Sequence, residues 1–289
     1  MYTYESYLKT KNHTSSTIRS YHRQVQIFIK WCELHHHQPS KIDYKNSLEY
    51  IKYLSKKNIS KSTMHSYLGC VKSYFNYLIA TGVREDNPLQ TTVVKGLIKK
   101  VNHNLLDLET LESFYHQAPS KSPSDKRNKI IIGLMIYQGL ATEDIKLLNT
   151  EAVDLQKGTI QIPKRKKSNA RILELKPWQI LELMEYLTSG RSYFFNELQL
   201  QNTSKLFAHN KRLAIISYII KKLKKQHPKL DNYHQIRASV ITNWLKKHNL
   251  REVQYMAGHR YISSTERYLQ EDLENLQNVI NQCHPINNG

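Results

Sequence analysis

Cysteine is nearly absent from this chain: three residues among 289, at Cys32, Cys70 and Cys283. An odd, widely spaced trio builds no disulfide framework and no zinc pattern, and it fits a reducing compartment. Glycine, at nine, and proline, at eight, are also scarce. Both residues punctuate a chain with turns, so their shortage argues for a mainly helical protein. No stretch approaches the roughly 18 consecutive apolar residues needed to span a bilayer, so no membrane partner is expected. Met1-Tyr2-Thr3-Tyr4 opens polar and runs straight into a helical pattern; the expectation is a cytoplasmic protein without a secretory signal. Acids are the last shortage. Asp and Glu number 24 against 43 Lys and Arg, a formal net charge of +19. An excess that large points to a polyanionic partner, and nucleic acid is the default.

The length allows one or two domains with proper cores. From Ser15 a helix carries apolar residues at Ile18, Tyr21, Val25, Phe28, Ile29 and Cys32, the 3.6-residue period of a core-facing stripe. A second stripe uses Leu48, Ile51 and Leu54. A third uses Met64, Leu68, Val71, Phe75, Leu78 and Ile79 and stops at Gly82, a natural C-cap. Two helix starts share wording, Ser16-Thr17 to Ser20-Tyr21 and Ser62-Thr63 to Ser66-Tyr67, and Ser and Thr are good N-caps. Helix N-termini are also good phosphate sites. The run His35-His36-His37 does not share one helix face, so a loop after the first helix is a simpler reading than a metal site. No metal or other cofactor is expected.

Beyond Leu105 the helical patterns run from Ile130 to Gln138, Glu143 to Leu148, Pro177 to Leu187, Leu213 to Lys224, His234 to Lys247 and Arg251 to Met256. Between the second and third, Thr159-Ile-Gln-Ile-Pro-Lys164-Arg165-Lys166-Lys167-Ser-Asn-Ala-Arg171-Ile-Leu-Glu-Leu175 reads as two β-prone runs around a polar turn, a hairpin. Lys164 to Lys167 form at least a solvated basic turn able to meet phosphates. From Asp272 the tail, with Leu273, Leu276, Val279 and Ile280, is amphipathic.

The last fifth holds the densest chemistry: His234-Gln-Ile-Arg237, Gly258-His259, and Tyr268 nine residues past His259. A phenol with a pKa of about 10 is a poor nucleophile at neutral pH. It becomes competent when cationic donors stabilise charge on the phosphate it attacks. Arg237 suits that task because its planar fork matches two phosphate oxygens and keeps its charge. His234 and His259 can donate to the same oxygens or carry the tyrosine proton. In this order and spacing the set resembles the signature of the tyrosine recombinases, the family of phage integrases and chromosome-dimer resolvases.

The resemblance implies a mainly α fold in two parts. Residues 1–90 would be a helical, SAM-like core-binding domain on DNA. Residues 91–104, with Lys95, Lys99 and Lys100, would be a basic linker, or else a rigid helix joining one continuous domain. Residues 105–289 would be a mostly helical catalytic domain with a small sheet or hairpin. Its tail would dock on a neighbouring protomer of a homo-tetramer on DNA, or on its own domain. The implied activity is site-specific recombination of double-stranded DNA without metal or ATP, for a mobile element or a bacterial chromosome. Tyr268 would form a 3′-phosphotyrosyl intermediate, Arg237, His234 and His259 would support it, and a hairpin lysine would protonate the leaving 5′-oxygen. Counted back from Arg171, that lysine is Lys166, with Lys164 the second choice.

One position departs from the family. Its first arginine follows a Gly-Leu pair at a helix start, and this chain has Gly139-Leu140-Ala141-Thr142-Glu143-Asp144-Ile145. Three explanations stand open: another cation (Arg165, Arg127 or Arg260) replaces it, the alanine is a deliberate substitution that traps a complex, or the protein binds DNA without cutting it. The last would make the chain a regulator or accessory factor on the recombinase scaffold. A relaxing topoisomerase shares the nucleophile, but the two-part layout and short length speak against it.

Overall fold

The computed structural model describes residues 3–96, 104–197, 204–207 and 214–269, and the chain divides into two compact units, Met1–Lys100 and Val101–Gly289. Among the described residues the first unit has four α-helices, α1 (Tyr4–Thr10), α2 (Ser15–Leu34), α3 (Tyr44–Ser55) and α4 (Lys61–Ala80), and a 3-10 turn at Pro39–Lys41. Each starts on a side chain that accepts an orphan N–H of the first turn: Thr3, Thr14, Asp43 and Ser60. The caps of α2 and α4 therefore precede the repeated Ser16-Thr17 and Ser62-Thr63, which fall inside the first turn. At the other end of α4, Gly82 takes a left-handed φ of 71°, and the N–H groups of Gly82 and Val83 return to Ile79 and Leu78, as the glycine stop predicts.

Phe28, Trp31, Tyr50, Leu54, Val71 and Phe75 form the centre of this unit. The stripe expected on α3 is rotated: Leu48 is exposed, Ile51 only partly buried, and Ser47, Tyr50 and Leu54 face inward. Tyr50 decides this, because burying its large ring outweighs burying Leu48. His35, His36 and His37 form the turn that ends α2, with His36 at φ 56° and His37 N–H on the Cys32 carbonyl. The rings of His35 and His37 lie 5.0 and 5.5 Å from that of Trp31.

The second unit contains α5 (Leu108–His116), α6 (Pro123–Ile136), α7 (Thr142–Leu147), α8 (Pro177–Glu185), α9 (Arg191–Glu197), α10 (Ala214–Gln226), α11 (Tyr233–Leu245) and α12 (Leu250–Ala257), then helical residues 263–269. Three short strands, β1 (Val153–Asp154), β2 (Thr159–Ile162) and β3 (Arg171–Glu174), make an antiparallel sheet in the order β1-β2-β3. The hairpin register pairs Ile160 with Leu173 and Ile162 with Arg171. The mainly helical class with a small sheet is as expected. Sequence periodicity missed α5, α9, β1 and residues 263–269, which are short or lie beside stronger patterns. It also started α6 seven residues late, because the apolar run marks only the buried turns. The helix begins where Ser122 and Asp125 cap it and Pro123 sits at its first position. The expected helix from Pro177 to Leu187 ends at Glu185 and continues as a π-helical turn, Tyr186–Gly190.

α6 is the spine of this unit: Ile130, Ile131, Ile132, Leu134, Met135 and Ile136 are all buried in the core. Among the described residues, no helix is long and apolar enough to cross a membrane, and no group of His, Cys, Asp and Glu side chains could hold a metal ion. Lys99 and Lys100, Leu213, the amphipathic tail from Asp272 and Cys283 lie outside the described residues.

Phe75 is fully buried among Phe28, Arg84 and Tyr74. Phe75→Ala is expected to destabilise the first unit by about 3–5 kcal/mol. Urea unfolding of the full chain, read by fluorescence, checks this; an unshifted midpoint would contradict the assigned core.

Candidate active site

α11 starts on the side chain of Asn232, which caps the Gln235 N–H. His234 and Arg237 follow three residues apart and so share one helix face. Arg237 is held by two backbone carbonyls from distant segments: Nη1 donates to Gly139, and Nη2 to Ala257 at 2.7 Å. One guanidinium thus ties α11 to the loop before α7 and to the end of α12.

α12 ends at Gly258, whose φ of 69° is left-handed. A Cβ there would stand 2.4 Å from Arg171 Nη1 and 2.7 Å from Ser168 Oγ. Only glycine permits both the turn and the close approach. The hairpin tip then closes on this segment. Arg165 N–H donates to the Ser168 carbonyl at 2.8 Å, Ser168 pairs with His259, and Asn169 N–H donates to the Gly258 carbonyl at 3.0 Å.

His259 meets Tyr268 on the following helical segment. Their rings stack at 5.9 Å between centroids with 7° between planes. His259 Nδ1 lies 2.8 Å from Oγ1 of Thr265, a fully buried residue three before the tyrosine. Tyr268 is half-buried against Ile241, Val253 and Ala257. Burial, followed by the charges of Arg237, Arg267 and Arg171, pulls the His259 pKa down to about 4. The imidazole is therefore neutral at pH 7, with Nδ1 engaged by Thr265.

Ala141 is the N-cap of α7, and its N–H donates to Oδ2 of Asp144 at 3.0 Å. Asp144 is fully buried. Oδ2 also accepts from Arg171 Nη2 at 3.0 Å, and Oδ1 accepts from Arg165 Nε at 2.6 Å. Burial by itself raises the Asp144 pKa. Arg171, Arg165 and the Ala141 N–H more than offset that and hold the carboxyl below the ordinary range. Beside this group, the Tyr233 hydroxyl donates to the Leu140 carbonyl at 2.6 Å. Burial pushes its pKa up, and the charges of Arg237, Asp144 and Arg165 all reach it.

Of the residues singled out from sequence, Arg237, His259 and Tyr268 are brought together. His234 is exposed, with its ring edge-on to Tyr233 at 5.5 Å. Lys164 and Lys166 are exposed on the hairpin, and the Lys166 carbonyl accepts from Arg260 Nη1 at 3.4 Å. Of the three cations considered for the gap at Ala141, Arg127 lies over the Phe194 ring at 4.0 Å and Arg260 over Tyr261 at 5.7 Å. Arg165 is the one on Asp144. Sequence reasoning passed over Tyr233, Thr265 and Ser168, and took Arg171 only as the end of the turn. Arg171 did carry a signal: strand alternation puts it on the inward face with Leu173 and Leu175, where a charge requires a partner.

Basic side chains and a tyrosine thus lie together on a helical unit with a docked β-hairpin. The family model for the phage integrase family matches residues 104–275, and that for the phage integrase N-terminal SAM-like domain matches residues 2–82. The chain belongs to the phage integrase family and is a site-specific tyrosine recombinase. It is 25% identical over 279 residues to the TnP I resolvase of Bacillus thuringiensis, covering 95% of this chain and 96% of the relative. It is 24% identical over 282 residues to the tyrosine recombinase XerD of Vibrio cholerae, covering 93% and 90%. The fold matches that of the XerH site-specific recombinase bound to palindromic difH substrate, with a TM-score of 0.71 at 19% identity, covering 94% of this chain and 81% of that one. It also matches the Tn1549 transposon integrase in complex with transposon right end DNA, with a TM-score of 0.67 at 15% identity and 92% of each chain covered.

Asp144→Asn leaves the fully buried Arg171 without its counter-charge, and removing one partner of a buried pair costs about 3–5 kcal/mol. Because the folded Asp144 pKa is depressed, its stabilisation is present above the unfolded carboxyl pKa of about 3.9 and is lost as pH falls through the folded value. The variant is expected to melt earlier at pH 7 and to lose less stability than the parent on acidification below about pH 4. Calorimetry across pH checks both signs.

Proposed function

We propose that the chain cuts and rejoins double-stranded DNA at a specific site through a 3′-phosphotyrosyl intermediate. The observation that carries this is the convergence of Arg237, neutral His259 and Tyr268 at one place from three chain segments. The Tyr268 phenol oxygen attacks the scissile phosphorus while its proton passes to Nε2 of His259. Arg237 and His234 donate to the non-bridging oxygens and stabilise the charge that develops there. The bond from phosphorus to the 5′-oxygen breaks, and Lys166 at the hairpin tip protonates the leaving oxygen. The tyrosyl ester keeps the phosphodiester's energy, so attack by the 5′-hydroxyl of a partner strand reverses the steps and joins the strands. Two duplexes exchanging strands imply a homo-tetramer on DNA. Residues 1–90 and 105–289 would hold the duplex as core-binding and catalytic domains, joined by the basic residues 91–104, and the tail from Asp272 would link protomers. A protein that acts in this way on DNA would work in the cytoplasm.

Tyr268→Phe removes one hydroxyl from a half-buried ring. Folding and DNA binding are expected to persist, while the covalent adduct on a nicked duplex carrying the junction of the encoding element disappears. An adduct that persists in this variant would refute the nucleophile, and Tyr261 would be tested next. The charge of +19 predicts a steep salt dependence of DNA binding. About 0.9 units of slope in log K against log salt are expected per phosphate neutralised, so ten or so contacts weaken binding by orders of magnitude between about 50 and 200 mM. A nearly flat titration would show that the excess charge serves another purpose.

A further inference from the structure

We propose that Arg165 supplies the guanidinium that position 141 lacks, with Asp144 holding it in place, so that Arg165 and Arg237 clamp the scissile phosphate together. The inference deepens the phosphotyrosyl reading and rests on it.

Geometry places the substitute where the missing side chain would begin. The Ala141 N–H and Arg165 Nε bind the two oxygens of the same Asp144 carboxylate, at 3.0 and 2.6 Å. The head of Arg165 therefore lies beside the backbone of residue 141, although the two residues are 24 apart in sequence. The anchoring uses only Nε. Among the described residues, no group takes the two terminal nitrogens, whose four N–H bonds form the fork suited to phosphate. The Arg165 side chain keeps 20% of its exposure, whereas the Arg171 side chain on the same carboxylate has none. Arg171 thus serves as the buried counter-charge, and Arg165 is the member that can reach a ligand.

Charge balance points the same way. Arg171 feels both Arg165 and Arg237 as like charges, and Tyr233 feels Arg165 and Arg237 together. Arg165 and Arg171 share one carboxylate, and Arg237 lies near enough for Arg171 to feel its charge, so positive charge exceeds negative among these groups. Such crowding is costly until an anion enters, and a phosphodiester is the anion this family handles. The backbone fixes the site beforehand. The Arg165–Ser168 turn is paired to His259, so Arg165 is carried to the same place as the histidine that stacks on Tyr268.

The test is single-turnover cleavage of the nicked junction duplex at saturating protein, with DNA affinity and thermal midpoint measured for each variant. Arg165→Ala is expected to slow adduct formation roughly a hundred- to a thousandfold, the effect of removing one transition-state donor. Arg165→Lys should recover only part of the rate, since an ammonium lacks the planar fork. In the double variant Arg165→Ala/Ala141→Arg, an arginine restored at position 141 should recover at least about tenfold of the loss. If Arg165→Ala is unstable, Arg165→Gln keeps a donor for Asp144 without the charge and should show the same slow cleavage. Cleavage at the parent's rate by Arg165→Ala or Arg165→Gln overturns the proposal. So does a slow variant that arginine at 141 does not rescue, because Arg165 would then act only through the fold. An adduct that survives Tyr268→Phe in the parent background would instead sink the underlying reaction, which keeps the two failures distinct.

Discussion

The buried carboxylate of Asp144 is the constraint on which the site depends. A charge with no solvent exposure persists only when hydrogen bonds and counter-charges replace water. Asp144 obtains them from three sources: the N–H of Ala141 at the cap of its own helix, Arg171 on β3 and Arg165 on the hairpin turn. Meeting its requirements therefore draws the sheet onto α7. The inward arginine of β3 has the same need in reverse, and neither group can be removed singly without leaving the other buried and unpaired.

A second set of ties works through backbone groups. Arg237 gives one N–H of each terminal nitrogen to carbonyls from before α7 and from the end of α12, which leaves the second N–H of each for a ligand. Gly258 lets the chain turn sharply into His259 while Arg171 and Ser168 pass where a side chain would stand. Residues 139–144, 165–171, 233–237 and 258–268 meet through these contacts. The contacts that position these side chains are thus largely those that hold this part of the unit together.

His259 shows what that assembly does to chemistry. An imidazole in water titrates near pH 6.5, yet here burial and three neighbouring guanidinium groups hold it neutral across the physiological range. The same positive field that favours a phosphate disfavours a histidinium. The division of labour in the proposed reaction follows: arginines carry charge, and the histidine moves a proton.

The sequence by itself determined the class and much of the site. Scarce glycine and proline, the helical stripes of α2 and α4 and the two-run hairpin pattern were enough for a mainly helical chain with a small sheet. The spacing from Arg237 through His259 to Tyr268 named the family, because those types in that order answer one chemical problem. Departures from the reading came where local signals compete. Tyr50 outweighed Leu48 on α3, Ser122 and Pro123 started α6 well before its apolar run, and Thr14 and Ser60 capped helices ahead of the repeated serines and threonines. What only the tertiary structure decided was the fate of the charges. Periodicity shows that Arg171 faces inward but not which acid it meets, and nothing local separates Arg165 from Arg127 or Arg260. Those pairings depend on which distant segments the core brings within about 3 Å, a property of packing and not of any window of sequence.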